Sequence, residues 1–276
     1  MRVKFWGVRG SIPTPGRMTE KYGGNTACVE ILQGDTRVIL DGGTGIRELG
    51  LSMVTQHPGE SALLLSHTHW DHIQGLPFFS PLFKSRYVFR VFAPKALLGR
   101  VEAILTQQME QEVFPVPFTA LSSEIRFEEL PPEGVDYGEL HISAVALNHP
   151  GGSYGYRVTH GNESVVYATD NEIHADKNPE AFESTVEAVR DADLLIGDAQ
   201  YDAASYQAHL GWGHSSYEQL VEVARKGGVS QLAVFHHDPM SDDVELARRE
   251  RLLRKSESNV HVFFARDGMA VQVRPS

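Results

Sequence analysis

The stretch His67-Thr68-His69-Trp70-Asp71-His72 carries three imidazoles and one carboxylate within six residues. It follows the run Ala62-Leu63-Leu64-Leu65-Ser66, which is short, aliphatic and polar at its end, and which predicts a buried strand that delivers the hexapeptide to a loop. If these side chains shared a pocket without a cation, they would repel one another and leave donors unmatched. The hexapeptide therefore predicts a binding site for a divalent metal.

The donor types in the hexapeptide narrow the choice of metal. Neutral imidazoles with carboxylates suit zinc, manganese or iron, whereas calcium and magnesium prefer oxygen ligands. Four ligands in one loop can serve two ions, because His67 and His69 point to one side of an extended segment while Asp71 and His72 can face another. A polar surface loop with incidental histidines is the alternative, which the clustering of an uncommon residue disfavours. We expect two divalent ions, with zinc favoured and manganese or iron as alternatives.

The length and composition of the chain favour a single domain. A chain of 276 residues is ample for a sizeable core, and we expect residues 1–276 to form one domain. The amino-terminal residues lack an apolar stretch with a cleavage site, and no run approaches the roughly 18 apolar residues of a membrane helix. The single cysteine, Cys28, is typical of a reducing compartment, and its simplest role is as a small buried apolar residue. These features predict a cytoplasmic protein without membrane contact.

The net charge bears on the partners of the protein. The formal charge is −11, from 36 acidic and 25 basic residues, and the sequence has no basic block of five or more residues. Bulk attraction to long nucleic acids is therefore not expected. A small anionic substrate stays compatible with the charge, because bound ions would set the local field. A homodimer is compatible with the sequence but not indicated by it.

The first forty residues alternate glycine-rich turns with apolar runs at 3–8, 27–32 and 37–40, which predict antiparallel hairpins. Asp41-Gly42-Gly43-Thr44-Gly45 follows the third run, and its glycines permit a tight turn. A phosphate-binding loop is the alternative, but neither Gly-x-Gly-x-x-Gly nor a Walker pattern is present. We interpret Asp41 as a buried carboxylate that supports the metal loop, not as a ligand.

The second half of the chain repeats the pattern of an apolar strand followed by a polar side chain suited to metal. Predicted strands at 141–147, 164–169, 193–196 and 231–235 lead into the residues His149, Asp170, Asp198 and His236 with His237. With the hexapeptide, polar residues follow five separate strands. In α/β folds, sites are built at this position.

Helices are predicted at 95–112, 179–191, 215–226 and 243–256, with Ser215 or Ser216 as the amino-terminal cap of the third. The segment 113–118 has two prolines and two phenylalanines, which forbid regular structure; it either walls a substrate pocket or packs as a loop. Strands at 260–264 and 269–273 flank Arg266-Asp267-Gly268 and predict a hairpin that closes the chain.

These residues together resemble the metallo-β-lactamase-fold hydrolase superfamily, whose His-x-His-x-Asp-His motif is matched by the hexapeptide and whose later His and Asp are matched downstream. The resemblance implies an α/β fold, a four-layer αββα sandwich with the site along one edge of its two sheets. The ligand set that it implies is His67, His69 and His149 on one ion, Asp71, His72 and His236 on the other, and Asp170 as the bridge. The doubled His236-His237 leaves the last ligand open, and His236 is preferred because it directly follows the strand.

A finer resemblance concerns the branch of the superfamily. Gly213-His214-Ser215-Ser216 resembles the phosphodiesterase branch that includes ribonuclease Z. The opening stretches 7–13 and 22–26 are similar to bacterial members described as cyclic-nucleotide phosphodiesterase-like. Asp170 stands where a β-lactamase of the main zinc class carries cysteine, which argues against antibiotic hydrolysis. The sequence also lacks an obvious basic arm for tRNA.

The mechanism that these features imply uses a hydroxide shared by two ions about 3.5 to 4 Å apart as the nucleophile. Asp71 would orient the hydroxide, and His214, supported by Asp198, would protonate the departing alkoxide. A helix start lowers the pKa of a histidine unless a carboxylate opposes it, which is the role expected of Asp198. The favoured function is hydrolysis of a phosphodiester in a small, preferably cyclic, nucleotide. The alternatives are an RNA 3'-end nuclease of the ribonuclease Z type, a lactone or thioester hydrolase, a flavodiiron-like redox protein, and an idle binding module.

Overall fold

Two seven-stranded mixed sheets form the centre of the computed structural model, which describes residues 1–257 and 259–275. The first sheet contains β1 (Arg2–Gly7), β2 (Cys28–Gln33), β3 (Thr36–Leu40), β4 (Glu60–Leu64), β5 (Val88–Ala93), β6 (Glu124–Glu129) and β14 (Ala270–Gln272). The second contains β7 (Val135–Tyr137), β8 (Leu140–Leu147), β9 (Ser153–His160), β10 (Glu163–Ala168), β11 (Leu194–Asp198), β12 (Gln231–Phe235) and β13 (His261–Phe264).

The two sheets share one topology. The first has the order β14-β1-β2-β3-β4-β5-β6, antiparallel from β14 to β3 and parallel from β3 to β6. The second has the order β13-β12-β11-β10-β9-β8-β7, parallel from β13 to β10 and antiparallel from β10 to β7. The predicted hairpins of the first forty residues are confirmed by the pairing of β1, β2 and β3.

Helices cover the outer faces of both sheets. The α-helices are α1 (Gly45–Met53), α2 (Trp70–Ile73), α3 (Lys95–Gln107), α4 (Pro179–Ala188), α5 (Ala203–Tyr206), α6 (Tyr217–Lys226) and α7 (Asp243–Ser256). Short 3-10 helices occupy Leu76–Phe78, Ser80–Phe83, Phe118–Ala120 and Gln207–His209. In the described ranges, no helix combines the length and apolar character that crossing a membrane requires.

The layers follow from the alternation of side chains along each strand. In β4, Ala62 and Leu64 point into the core between the sheets, while Leu63 packs outward against α1 and α3. The same alternation in β10 sends Val165 inward and Val166 outward toward α4, α6 and α7. The four-layer αββα sandwich predicted from the sequence is therefore confirmed.

The prediction of a hairpin that closes the chain is wrong. β13 pairs with β12 in the second sheet, whereas β14 pairs with β1 in the first, so the segment between them crosses from one sheet to the other. The turn residues satisfy distant partners: the Asp267 N–H donates to the Tyr22 carbonyl, and the Gly268 N–H donates to the Phe5 carbonyl, at 2.8 Å each. Tertiary hydrogen bonds thus replace the local pairing that a hairpin needs.

Several boundaries also differ from prediction. α3 ends at Gln107 instead of 112, and α4 ends at Ala188 instead of 191. α6 begins at Tyr217 with Ser216 as its cap, in a capping box with Gln219. In the segment 113–118, Phe114 contacts the ring of Phe78, and Phe118 packs against the outer core.

Candidate metal centre

Five strand ends converge at one edge of the sandwich. The hexapeptide follows β4, His149 follows β8, Asp170 follows β10, Asp198 is the last residue of β11, and His236 follows β12. Parallel neighbours such as β10, β11 and β12 bring their carboxyl ends to the same edge, which is why residues far apart in sequence meet there.

One group of ligand atoms comprises His67, His69 and His149, whose ring nitrogens lie within 4.8 Å of one another. His69 Nδ1 is 3.2 Å from His149 Nε2. His67 Nε2 is buried and has no hydrogen-bond partner among the described residues. Because buried imidazole nitrogens are normally satisfied, this orphaned atom fits a site built for a cation.

A second group comprises Asp71, His72 and His236. His236 Nε2 lies 3.1 Å from both His72 Nε2 and Asp71 Oδ2, and the latter two atoms are 3.3 Å apart. Two imidazoles and a carboxylate converging on one point form a suitable donor set for zinc, manganese or iron.

The carboxylate of Asp170 lies between the two groups. Its Oδ2 is 3.2 Å from His72 Nε2 and 3.4 Å from His236 Nε2. Its Oδ1 is 3.9 Å from His67 Nε2 and 3.8 Å from His149 Nε2. One buried carboxylate therefore presents one oxygen to each group.

The protonation states reflect this packing. Burial, with the nearby His72, holds the pKa of His67 well below its usual range, so the ring is neutral as a metal ligand must be. Burial alone would lower the pKa of His72, but the carboxylates of Asp170, Asp71 and Asp41 outweigh it and raise that pKa well above its usual range. The three carboxylates therefore favour the protonated form of His72, and a cation bound beside them would favour the neutral ring instead.

Contacts behind the rings fix their orientation. The Nδ1–H of His72 donates to Asp41 Oδ2 at 2.7 Å, and the same carboxylate accepts the Ser66 N–H and the Tyr167 hydroxyl. The Nδ1–H of His149 donates to the Gly213 carbonyl at 2.9 Å. In both rings Nε2 is thereby directed to the cluster, an arrangement usual for metal-binding histidines.

Of the two adjacent histidines, His236 lies in the cluster and His237 lies in the core. The ring of His236 faces Asp71, while His237 Nε2 donates to the Ala265 carbonyl and its ring stacks on Phe264 at 5.4 Å. Burial lowers the pKa of His237 to about 3. His237 is a neutral core residue, and only His236 reaches the cluster.

The loop after β1 touches the second group from another side. The Ser11 N–H donates to Asp71 Oδ2 at 2.7 Å. Gly10 lies so close to the cluster that a Cβ there would be 2.5 Å from both His236 Nδ1 and Gln200 Nε2. This approach requires glycine at position 10.

His214 and Asp198 form a buried pair beside the cluster. His214 Nδ1 is 2.6 Å from Asp198 Oδ2 and 3.9 Å from Asp170 Oδ1. Burial lowers the pKa of His214, but the hydrogen bond and charge of Asp198 outweigh burial and raise the pKa to about 9. Asp198 therefore favours the protonated form of the imidazole, which is the form that can donate a proton.

The backbone of the cluster is unusual. Asp41, Asp170 and His236 all lie in the left-handed region, with φ of 61°, 58° and 57°. Non-glycine residues adopt this conformation at a cost of about 1–2 kcal/mol. Asp41 and His236 directly follow β3 and β12, and Asp170 lies two positions beyond the end of β10.

Gln200, Tyr167 and Glu172 are among the contacting residues that were not predicted from the sequence. Gln200 Nε2 lies 2.9 Å from His236 Nδ1, Tyr167 donates to Asp41, and Glu172 accepts backbone hydrogen bonds in the loop before His214. Gln200 lies two residues after Asp198, and Glu172 lies two residues after Asp170. A search of the two positions after each strand-end carboxylate would therefore have found both.

A cavity of about 350 Å³ opens beside His149. Its walls include Asn148, Glu172, His174 and Tyr206. A larger open groove of about 800 Å³ lies at the starts of β3 and β4, with Arg37 among its lining residues. That groove contains none of the clustered ligands, whereas His149 lines the smaller cavity.

Comparison with known proteins places the chain in a family. A model of the β-lactamase superfamily domain matches residues 36–237. The chain is 22% identical to ribonuclease Z of Haloarcula marismortui, covering 86% of each protein, and 24% identical to the probable metallo-hydrolase YhfI of Bacillus subtilis, covering 94% of this chain and 96% of that protein.

Solved structures agree on the fold. The crystal structure of the metallo-β-lactamase fold protein YhfI from Bacillus subtilis superposes with a TM-score of 0.72 at 20% identity over 98% of each chain. A diphosphatase of the PhnP family gives a TM-score of 0.72 at 19% identity, over 99% of this chain and 98% of that one. The chain therefore belongs to the β-lactamase superfamily and is a metallo-β-lactamase-fold hydrolase.

Proposed function

We propose that this protein is a phosphodiesterase that uses two divalent ions to hydrolyse a small nucleotide phosphodiester, with a cyclic mononucleotide as the favoured substrate. The observation that carries the proposal is the placement of Asp170, whose two oxygens face two separate groups of ligand atoms. A single-ion site would not need a carboxylate between two such groups.

The proposed assignment of ligands to the two ions follows the two groups of ligand atoms in the structure. The first ion is assigned to His67, His69 and His149, the second to Asp71, His72 and His236, and Asp170 is shared. Zinc is favoured because imidazole and carboxylate donors suit it, and manganese or iron would fit the same set. When bound, such a pair of ions supplies Lewis-acid polarisation of phosphoryl oxygens and a water of lowered pKa.

The remaining groups of the chain have distinct tasks in this proposal. Asp71, held by the Ser11 N–H, keeps its Oδ2 directed at the centre. His214 donates its proton to the departing oxygen, and Asp198 holds its Nδ1 so that Nε2 is the nitrogen free to donate. Asp41 supports His72 from behind without joining the ligand set.

The substrate class rests on the relatives and on charge. The relatives named ribonuclease Z and the solved diphosphatase both suggest chemistry at phosphate linkages. The formal charge of −11 disfavours a long polynucleotide, which leaves a small nucleotide as the better candidate. An RNA 3'-end nuclease is the second candidate, because ribonuclease Z matches 86% of the chain.

A substrate panel tests the proposal. Bis-(p-nitrophenyl) phosphate, a cyclic mononucleotide, a β-lactam, an acyl-homoserine lactone and a precursor tRNA would be assayed with zinc, manganese and cobalt. The expected result is turnover of a phosphodiester at least about ten times faster than that of the lactone or the β-lactam. Equal or faster lactone turnover would replace the proposal with a lactonase, and efficient trimming of precursor tRNA would replace it with a nuclease.

A further inference from the structure

Glu172 is a buried carboxylate that organises the loop before His214. It is only 9% exposed. Its Oε1 accepts the Tyr206 hydroxyl at 3.0 Å and the Gly211 N–H at 2.9 Å, and its Oε2 accepts the Gly213 N–H at 3.0 Å. A carboxylate that accepts three hydrogen bonds in a buried setting holds its donors firmly.

The loop that Glu172 holds presents the carbonyl that orients His149. The Gly213 oxygen accepts the His149 Nδ1–H at 2.9 Å. Gly213 has a φ of 87°, and a Cβ there would lie 2.1 Å from His149 Nδ1. Because loop and ring touch so closely, a small shift of Gly213 moves the imidazole.

Glu172 also contacts the residue that precedes His149. The Glu172 N–H donates to the Asn148 carbonyl at 2.7 Å, and the Asn148 side-chain amide donates to the Glu172 carbonyl at 2.8 Å. His149 is thus fixed through its own chain and through its ring, and both routes pass through Glu172.

We propose that Glu172 is a positioning residue for His149: by fixing the Gly213 carbonyl it selects the tautomer of His149 whose Nε2 can bind a cation. A neutral imidazole has one N–H, so a donor at Nδ1 leaves the lone pair on Nε2. This inference rests on the proposed two-ion site. Its effect is confined to one ion, because Asp41 orients His72 and Gln200 contacts His236 independently of Glu172.

The test is a zinc titration against a competing chelator, with Glu172→Ala and Glu172→Gln compared with wild type. Glu172→Ala should lose about 10- to 100-fold in affinity at one site and keep the other. Glu172→Gln retains one acceptor oxygen and should fall between Ala and wild type. In protein labelled at histidine nitrogens, the Nδ1–H signal of His149 should exchange faster in both variants.

Glu250→Gln is the matched control. Glu250 is 8% exposed and likewise accepts a tyrosine hydroxyl, from Tyr22, and a backbone N–H, from Phe264. The control variant should lose stability and keep both zinc affinities. Gly213→Ala displaces His149 directly and should reproduce the loss at the same site, which keeps the test valid if Glu172→Ala fails to fold.

Two outcomes would overturn the inference: wild-type affinity at both sites in the Glu172 variants, or an equal loss in Glu250→Gln. Wild-type protein that binds fewer than two ions would instead overturn the proposed two-ion site itself. The titration therefore tells the failure of the inference apart from the failure of the two-ion site, and the substrate panel tests the proposed activity separately.

Discussion

The Nδ1 atom of His214 lies 2.6 Å from Oδ2 of Asp198, although sixteen positions separate the two residues in sequence. Asp198 ends β11, and His214 precedes the cap of α6. Because burial would deprotonate an isolated imidazole, the carboxylate explains why the pKa of His214 is raised to about 9 instead of lowered.

If His214 is the general acid, the fall in turnover caused by removing its imidazole should depend on the leaving group. His214→Ala should keep both ions and lose roughly 10²- to 10⁴-fold in turnover of a substrate with a poor alkoxide leaving group. The loss should shrink for p-nitrophenolate, which scarcely needs a proton. Steady-state kinetics on both substrates, with elemental analysis of the variant, would check this. Equal losses on both substrates, or lost metal, would return His214 to a structural role.

Removing the shared carboxylate of Asp170 should reduce the occupancy of more ions than removing one imidazole. Asp170→Ala should reduce the occupancy of both ions, because its oxygens face both groups, whereas His72→Ala should mainly weaken one. Elemental analysis after dialysis gives the metal content directly. His237→Gln, a change at a buried histidine outside the cluster, serves as the control and should retain both ions. Two bound ions in Asp170→Ala protein would refute the ligand assignment.

Gly10 offers a steric test of the second group. In Gly10→Ala the new methyl group would meet His236 Nδ1 and Gln200 Nε2 at 2.5 Å, so the ring must move. We expect roughly tenfold weaker binding of one ion, measured by competition with a chelator. Gly99→Ala adds the same methyl group in open space within α3, and should leave metal binding unchanged while favouring the helix by up to about 1 kcal/mol. Similar behaviour of the two variants would argue against a packed contact at Gly10.

Asp267 should make stability depend on pH. Burial raises the pKa of Asp267 from 3.8 to about 6. A carboxyl with a raised pKa holds its proton more tightly in the folded state, so its contribution is full below pH 3.8 and is lost as the pH rises through 6. Asp267→Asn keeps an acceptor for the Asn25 N–H and removes the titration.

The free energy of unfolding of Asp267→Asn, relative to wild type, should therefore rise by roughly 1–2 kcal/mol between pH 5 and pH 8. Denaturant unfolding at several pH values measures this difference, in which the other titrating groups largely cancel. A difference that stays constant with pH would show that Asp267 does not titrate in this range.

The sequence supported the fold and the clustered residues because their signals are local. A short apolar run followed by His or Asp marks a strand end, and strand ends of β10, β11 and β12 meet at one edge without further information. The choice between His236 and His237 needed the structure, because only the turn after β12 decides which ring faces Asp71.

Features set by distant contacts were not predictable in the same way. Arg266-Asp267-Gly268 has the composition of a hairpin turn, yet the Asp267 and Gly268 N–H groups donate to Tyr22 and Phe5, more than 200 positions away. The partners of Glu172 lie 39 and 41 positions later, at Gly211 and Gly213. The residues next to each segment do not predict these distant partners.

The left-handed backbone at Asp41, Asp170 and His236 lowers the stability of the folded chain, and stability affects the abundance of a protein in the cell. These residues hold an unfavourable conformation with or without an ion, and an ion that binds only the folded chain would offset that cost. A ligand present at a thousand times its Kd stabilises a folded protein by about 4 kcal/mol. Because unfolded chains are removed by proteases, scarcity of metal should reduce the abundance of this protein as well as its turnover rate.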